Sequence, residues 1–393
     1  MTEVLIISLM VLQLMAIAAL ILLGKRAILT KGKHNRSPDR DLCPTVAVIA
    51  PVTGASEHLL SSIESLLEQG YPDYRLIFVI RDRSDPASEI VEHAVRSYPH
   101  ACVVYSGKAR TCSQKNHSLI AGVAHSGDSS EILVFCDVGH LAPSGWLEAL
   151  IEPIACGQAV VTTGYHHIVP KDFRTATLGR AVNVLAFYLP QGIPRVVQPW
   201  GGSTAIRASA FKDLAVRELW RENVVDDVSL AMRLQEDSIP VVSVPEACLD
   251  TPLEGETFSC WCRWLTRQLL YIKFCFPGSW IATSIFSHIL AGLTLLSAAR
   301  ALSWLLPGDY FSWIHVLSAA LFLGLITASF AILASLHPKP GPLRSWIRGG
   351  YAFLFMMSWC HIITLFSKSI CWRGIRYKVS FKGKVTGARD LAI

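Results

Sequence analysis

The residues with chemistry to offer are carboxylates that end apolar runs. Asp137 follows Ile132-Leu133-Val134-Phe135-Cys136 directly, and Asp82 follows the run Tyr74 to Ile80 after a single arginine. Both runs read as buried strands. A carboxylate at a strand end can hold a divalent cation against a diphosphate, because hard cations take oxygen ligands; it can equally be a turn or cap residue. Asp82 stands in Arg81-Asp82-Arg83-Ser84-Asp85-Pro86, where it can accept hydrogen bonds from a nucleobase or ribose. Capping of a helix that starts at Pro86 accounts for Asp85 better than for Asp82. Asp226 and Asp227 are adjacent at a helix start. Repulsion between neighbouring carboxylates lifts one pKa toward the range of a general base, although first-turn acids also complement the helix dipole. Arg263-Trp264, just ahead of long apolar segments, offers a guanidinium to a phosphate leaving group or an anchor at a membrane interface.

The chain that carries these groups has 393 residues, 51% hydrophobic and 17% charged, with mean hydropathy +0.39. Soluble domains carry about 25% charged residues. The deficit is concentrated in four apolar runs, which excludes a disordered chain, a disulfide-rich miniprotein and a purely soluble enzyme. Val4 to Leu23 is 20 residues without a charge, enough to cross a hydrocarbon core of about 30 Å. Residues 1–24 thus read as an uncleaved N-terminal transmembrane anchor. Lys25, Arg26, Lys31 and Lys33 follow it, in a basic linker over 25–43, and place what comes next in the cytosol.

Residues 44–258 alternate strand-like and helix-like segments. Strands read at 45–50, 74–80, 102–105, 132–136, 159–164 and 241–244; helices at 56–68, 86–95, 114–125, 146–154, 208–214 and 228–235. That order predicts an α/β domain with a parallel, nucleotide-binding type of sheet, whose ligands sit beyond the carboxyl ends of the strands. Asp82 and Asp137 stand there. No GxGxxG follows the first strand, which disfavours a dinucleotide fold. Gly201-Gly202-Ser203-Thr204 reads as a loop, and Thr175 to Leu189 as an amphipathic stretch that is either core or membrane surface.

Past residue 258 the chain turns apolar again. Residues 259–279 read as an interfacial amphipathic segment, and 280–372 as about three transmembrane helices, near 280–306, 311–336 and 347–370. The basic tail, 373–393, breaks the charge rule if all four segments cross, so its side stays open. Net charge is only +6 with no basic stripe, so nucleic acid is not an expected partner. The 11 cysteines include no CxxC pair and read as reduced thiols.

The order of these groups, a strand-end Asp, another about 55 residues on, an acidic pair about 90 beyond, then RW before apolar spans, resembles membrane glycosyltransferases of the GT-A fold. Within them it is most similar to the ceramide glucosyltransferase family (glycosyltransferase family 21, allied to family 2). Matching segments include Lys115-Asn116-His117-Ser118-Leu119, Cys136-Asp137-Val138-Gly139, Gly201-Gly202-Ser203, Asp226-Asp227 with Ser229-Leu230-Ala231, and Trp372-Arg373-Gly374 with Tyr377. The resemblance implies an α/β GT-A catalytic domain inserted between an N-terminal transmembrane helix and a C-terminal transmembrane region. It implies an inverting transferase that moves a hexose from a UDP-sugar, glucose foremost, to a membrane lipid hydroxyl, ceramide foremost; hopanoid or diacylglycerol acceptors, UDP-N-acetylglucosamine and processive polymer synthesis are its alternatives. By the same resemblance Asp227 is the general base and Asp226 its support. Asp82 and Lys115 lie on the donor side, and Asp137 holds Mg²⁺ or Mn²⁺ on the diphosphate. Arg263 and Trp264 belong to a (Q/R)xxRW motif, and Gly202 and Ser203 lie on the acceptor side. Two positions depart from the wider pattern: Gly139 reduces DxD to Asp137, as in family 21, and Cys260 stands first in (Q/R)xxRW. The expected setting is a multi-pass membrane protein with its catalytic domain on the cytosolic face.

Overall fold

The computed structural model describes residues 2–29, 43–193, 195–303 and 312–391. Lys31 and Lys33 of the linker, and the expected span ends Leu306 and Phe311, lie outside the described residues.

The all-apolar run at Val46–Val52 forms β1, buried along nearly its whole length in the interior of a seven-stranded sheet. It pairs in parallel with β2 (Tyr74–Ile80) and β4 (Ile132–Cys136), Val46 lying opposite both Tyr74 and Ile132. β3 (Ala101–Tyr105) forms one edge beside β2. On the other side β5 (Val161–Thr163), β7 (Ser203–Arg207) and β8 (Val241–Ser243) complete the order β3-β2-β1-β4-β7-β5-β8, with β7 antiparallel to both neighbours. Helices cover both faces, which is why the inner strands are continuous apolar runs rather than alternating ones. α2 (Leu59–Leu67), α3 (Ala87–Val95) and α5 (Trp146–Ala155) pack on one face; α4 (Gln114–Ser126), α7 (Ala208–Asp213), α8 (Val216–Glu222) and α9 (Asp227–Glu236) pack on the other. The expected loop 201–204 is only half a loop: Gly201 and Gly202 turn, while Ser203 and Thr204 open β7. Its Ser-Thr-Ala-Ile-Arg sequence is too short and mixed to announce a central strand. A further pair, β6 (His166–Pro170) with β9 (Leu249–Leu253), also goes beyond the strands expected from sequence.

Among the described residues, four helices are long and apolar enough to cross a membrane: α1 (Thr2–Leu29), α11 (Pro277–Ser303), α12 (Trp313–Leu336) and α13 (Leu343–Phe366). The start of α1 meets the end of α11 and the start of α12 through Glu3, which pairs with Arg300 at 2.8 Å and lies 3.4 Å from His315. α6 (Thr175–Tyr188), which the sequence left between core and membrane surface, is core. It packs backbone against backbone on α13, where a Cβ on Gly349 would lie 2.7 Å from the Gly179 nitrogen. α13 begins and ends against the α/β domain. Its first turn follows His337, whose ring contacts those of His167 and Trp346. At its far end Lys273, from α10 (Phe258–Cys275), donates to the carbonyls of Thr364, Leu365 and Ser367.

The expected third span, to 370, ends early, since α13 stops at Phe366 and Ser369–Trp372 is strand, and the expected basic tail, 373–393, is folded as far as Asp390. β10 (Ser369–Trp372), β11 (Ile375–Val379) and β12 (Val385–Asp390) form an antiparallel sheet. β11 alternates, with Ile375, Tyr377 and Val379 buried and Arg376 and Lys378 outward, the period-2 pattern of a half-buried strand. Its buried face joins Val224, Val225 and Leu270. The Tyr377 hydroxyl accepts from the Gln114 N–H at 3.2 Å, and Lys382 and Lys384 pair with Glu236 and Glu222 at 2.7 Å. The tail therefore lies on the α/β domain's side, the point that the charge pattern left open.

Candidate active site

Lys115 is the centre of the site. Ser113 caps α4 by accepting from the Asn116 N–H, and the buried Asn116 side chain donates to the carbonyls of Trp220 and Asn223. With the first turn of α4 pinned in this way, Lys115 projects over the carboxyl end of the sheet. Its Nζ lies 2.8 Å from Asp137, 3.0 Å from Asp226 and 3.3 Å from the Gly201 carbonyl. Asp137 is the first residue after β4, and its N–H donates to the Gly202 carbonyl at 3.3 Å. Asp227 accepts from the backbone N–H of Gly201 at 2.9 Å and of Val228 at 2.7 Å. The 201–202 turn so joins Lys115, Asp137 and Asp227 directly, and Asp226 through Lys115. Glycine at 201 leaves room for them, because a Cβ there would lie 2.3 Å from the Asp226 carboxylate and 2.8 Å from Lys115 Nζ and would displace those groups.

Burial sets the electrostatics. It opposes the Lys115 charge, but Asp137, Asp226 and Asp227 outweigh it and the ammonium is held more firmly than a free lysine. Burial also raises the Asp226 pKa, against the pull of Lys115. Asp227 is pushed up to about 6, by burial first and by Asp226 second. A carboxylate titrating near there is ionised at neutral pH yet far more basic than a free aspartate, which suits proton abstraction.

Beside this cluster opens a cavity of about 350 Å³ whose wall includes Arg81, Lys115, Arg180, Arg267 and Arg373 but only one carboxylate, Asp137. Trp264 lines it, with the Arg180 guanidinium 4.7 Å from its ring centre, and Arg180 pairs with the buried Glu256. Asp82 sits just outside, holding Arg81 at 2.6 Å and bonded to Ser84; those two hydrogen bonds keep its carboxyl below the usual range. Asp85 ties down the rim, accepting from Thr53 at 2.8 Å and from the Gly54 N–H at 2.7 Å. Arg263 is elsewhere: it is exposed and bonds Ser259 and Cys260 on its own helix. Residues three apart share a helix face and neighbours do not, so Arg267 joins Trp264 in the cavity and Arg263 does not. Ser203 is buried, accepting from Trp146 Nε1 at 2.9 Å, and Gly202 serves through its backbone. Asp226 and Asp227 lie behind Lys115 rather than on the cavity wall.

Sequence reasoning missed Arg180, Arg267 and His140. Arg267 stands three residues after Trp264, a spacing that shares a face only once the helix is formed, and Arg180, on α6, had no local signal. His140 lines the cavity with its Nδ1 2.7 Å from the Thr251 hydroxyl. Burial, then the charge of Lys115, lowers its pKa to about 4. No cluster of three or more metal-ligating side chains occurs among the described residues. Asp137 has one oxygen on Lys115 and a third of its side chain exposed, and Gly139, at φ +114°, supplies no second acid. One carboxylate fits a Mg²⁺-type ion, which is held largely by substrate phosphates and water.

A profile of glycosyl transferase family 21 matches residues 7–385. Ceramide glucosyltransferase 1 of Caenorhabditis elegans is 20% identical over 381 residues, which cover 91% of this chain and 76% of that protein. Ceramide glucosyltransferase 3 of the same organism is 30% identical over 66 residues, 17% of this chain and 14% of that one. Among solved structures, the mannosyltransferase PcManGT from Pyrobaculum calidifontis, in complex with GDP-Man and Mn²⁺, aligns with TM-score 0.52 and 16% identity, covering 92% of this chain and 99% of that one. At that identity the likeness concerns the fold, a GT-A-like mixed α/β sheet. The chain belongs to glycosyl transferase family 21 and is a glycosyltransferase.

Proposed function

We propose that this glycosyltransferase moves a hexose, glucose from UDP-glucose foremost, onto the hydroxyl of a membrane lipid, ceramide foremost, giving a β-glycosyl lipid by inversion. The observation that carries the reading is the Lys115 cluster at the carboxyl edge of the sheet, opening on a cavity with five cations and one carboxylate. Such a cavity attracts a nucleoside diphosphate, and helices fit to enter a bilayer border the domain. In this reading Asp227 takes the proton of the acceptor hydroxyl as its oxygen attacks C1 from the face opposite the diphosphate. Asp226 keeps Asp227 basic, Lys115 holds Asp226 and Asp137 in place, and the N–H groups of Gly201 and Val228 hold Asp227. Cations of the cavity wall meet the charge that grows on departing UDP, where preorganised stabilisation matters most. Asp82 faces the uridine side. Asp137 would hold Mg²⁺ or Mn²⁺, which when bound neutralises diphosphate charge. Lys25, Arg26, Lys339, Arg344 and Arg348 lie at helix ends toward the α/β domain, which supports a cytosolic catalytic face. α1, α11 and α12 are then the crossings, and α13, with both ends at the domain, lies along it.

The test is incorporation of label from UDP-glucose into organic-extractable lipid by membranes containing the protein or Asp227→Asn. A glucolipid from the unaltered protein alone supports the reading, and its mass names the acceptor. Product only with UDP-N-acetylglucosamine, or only on hopanoid or diacylglycerol, replaces the donor or acceptor named here. No lipid product from any UDP-sugar overturns the reading.

A further inference from the structure

The cavity has two guanidinium groups that no carboxylate of the described residues neutralises. Arg81 is paired with Asp82, Lys115 with Asp137 and Asp226, and Arg180 with Glu256. Arg267 and Arg373 have no such partner, although both line the cavity. They come from opposite ends of a contact: Arg267 of α10 lies 5.9 Å over the ring of Trp372, the residue before Arg373. Arg373 and Gly374 form the two-residue turn between β10 and β11, with φ of +48° and +76°. Such turns favour glycine or asparagine at both places, and a non-glycine residue held at positive φ at a binding site points to a role for its side chain. The side chain also reaches across the cavity, its Nη1 3.6 Å from where a Cβ on Gly54 would stand. Gly54 is on the rim that Asp85 fixes, so Arg373 spans from the C-terminal sheet to the loop after β1.

We propose that the Trp372–Arg373 turn is a diphosphate-binding element, in which Arg373, with Arg267 behind it, clamps the phosphates of the nucleoside diphosphate donor against the loop at Thr53–Gly54. The inference rests on the donor class proposed above and adds to it a wall made by the far end of the chain. Trp372 holds the two cations in register through its ring, and Tyr377, bonded to the Gln114 N–H next to Lys115, fixes the sheet to the lysine's own helix. Arg373 is thus a donor-binding residue rather than a packing one.

The test uses the full chain in detergent and measures UDP and uridine binding calorimetrically for the unaltered protein, Arg373→Gly, Arg373→Lys and Lys382→Ala. Loss of a charge-assisted contact predicts UDP binding weaker by roughly ten- to a hundredfold in Arg373→Gly, with uridine binding unchanged. The melting temperature of that variant holds or rises, since glycine suits the left-handed turn. Arg373→Lys recovers part of the loss, because lysine keeps the charge without the fork. Lys382→Ala, which alters the same sheet away from the cavity, leaves both ligands bound as before. Unchanged UDP binding in Arg373→Gly overturns the clamp, and so does equal loss of UDP and uridine, which would make the turn a structural prop. If the unaltered protein binds GDP and not UDP, the uridine reading above fails and the same comparison with GDP and guanosine judges the clamp. If it binds no nucleoside diphosphate, both fail.

Discussion

The floor and the rim of the cavity are built on different physics. The floor is Lys115 and Asp137 with Asp226 behind the lysine, short-range ion pairs formed where β4, α4 and α9 converge, with the lysine and Asp226 almost out of solvent. The rim is a set of long arginines brought from α6, α10 and the C-terminal sheet, one tied to a carboxylate and two left untied. A floor of this kind holds a reacting geometry fixed, because each group is positioned by the others and by backbone bonds at Gly201. A rim of this kind attracts and adapts, since cations without a carboxylate partner act through field and through contacts completed only by ligand. The contrast separates what the enzyme must keep rigid from what it must let move, and each can be damaged alone.

Asp227→Asn is the sharpest cut at the floor. It should lower kcat by about 10²–10⁴, the usual contribution of a general base, while UDP binding measured by calorimetry is retained. Gly201→Ala comes next: the added methyl collides with Asp226 and Lys115, and displacement of reacting groups by about 1 Å can cost some 10²-fold in kcat. Lys115→Ala leaves two carboxylates without their cation and should destabilise the fold by about 3–5 kcal/mol, read by denaturation in detergent. Adding Asp226→Asn should return part of that loss, and strict additivity of the two would contradict the shared-cation picture. A subtler change concerns pH. In the proposed role Asp227 works ionised, and burial with Asp226 pushes its carboxyl up to about 6, so kcat/KM should fall as pH drops through that value and level off above it. Asp226→Asn removes the neighbouring charge that raises Asp227, and the acidic limb should move to lower pH; a limb that stays put would exclude this pair as its source. Arg263→Ala, outside the cavity, should change UDP binding by less than about twofold, as for an exposed charge.

Much of the floor was legible in the sequence because strand ends announce themselves. An apolar run that stops at Asp137, or a helix that starts at Asp226-Asp227, locates the residue at the edge of the sheet from chain order alone. Lys115 could be assigned only by resemblance, since nothing local says that a first-turn lysine faces two acids from elsewhere. The rim was harder. Arg263 and Arg267 are equally basic and both close to Trp264, and only the rotation of a formed helix decides which one enters the cavity. β11 and β12 read as tail because Arg376, Lys378, Lys382 and Lys384 dominate their composition, and β10 reads as the end of the last apolar span. The inward alternation of Ile375, Tyr377 and Val379 was present but short, and its partners, Val224 and Val225, are more than a hundred residues away. β7 stayed hidden for a related reason: its antiparallel insertion between β4 and β5 follows from long-range pairing, not from its own five residues.

The Tyr377–Gln114 bond joins residues 263 positions apart, and this has a bearing on the birth of the enzyme. A growing chain acquires its acids, its lysine and its central strands early, and can pair them while synthesis continues, as domains do. The wall that holds Arg373 is made only after every apolar helix has emerged, and it must then find the edge of a sheet already formed. Closing a loop of that length adds little entropy cost once the intervening helices are packed, but it fixes the order of events. Until α13 is seated and β10 has turned back, the nascent protein owns the Lys115 cluster and an open-sided chamber. A premature stop just before Ser369 would leave it in that state, anchored and acidic but without its last wall.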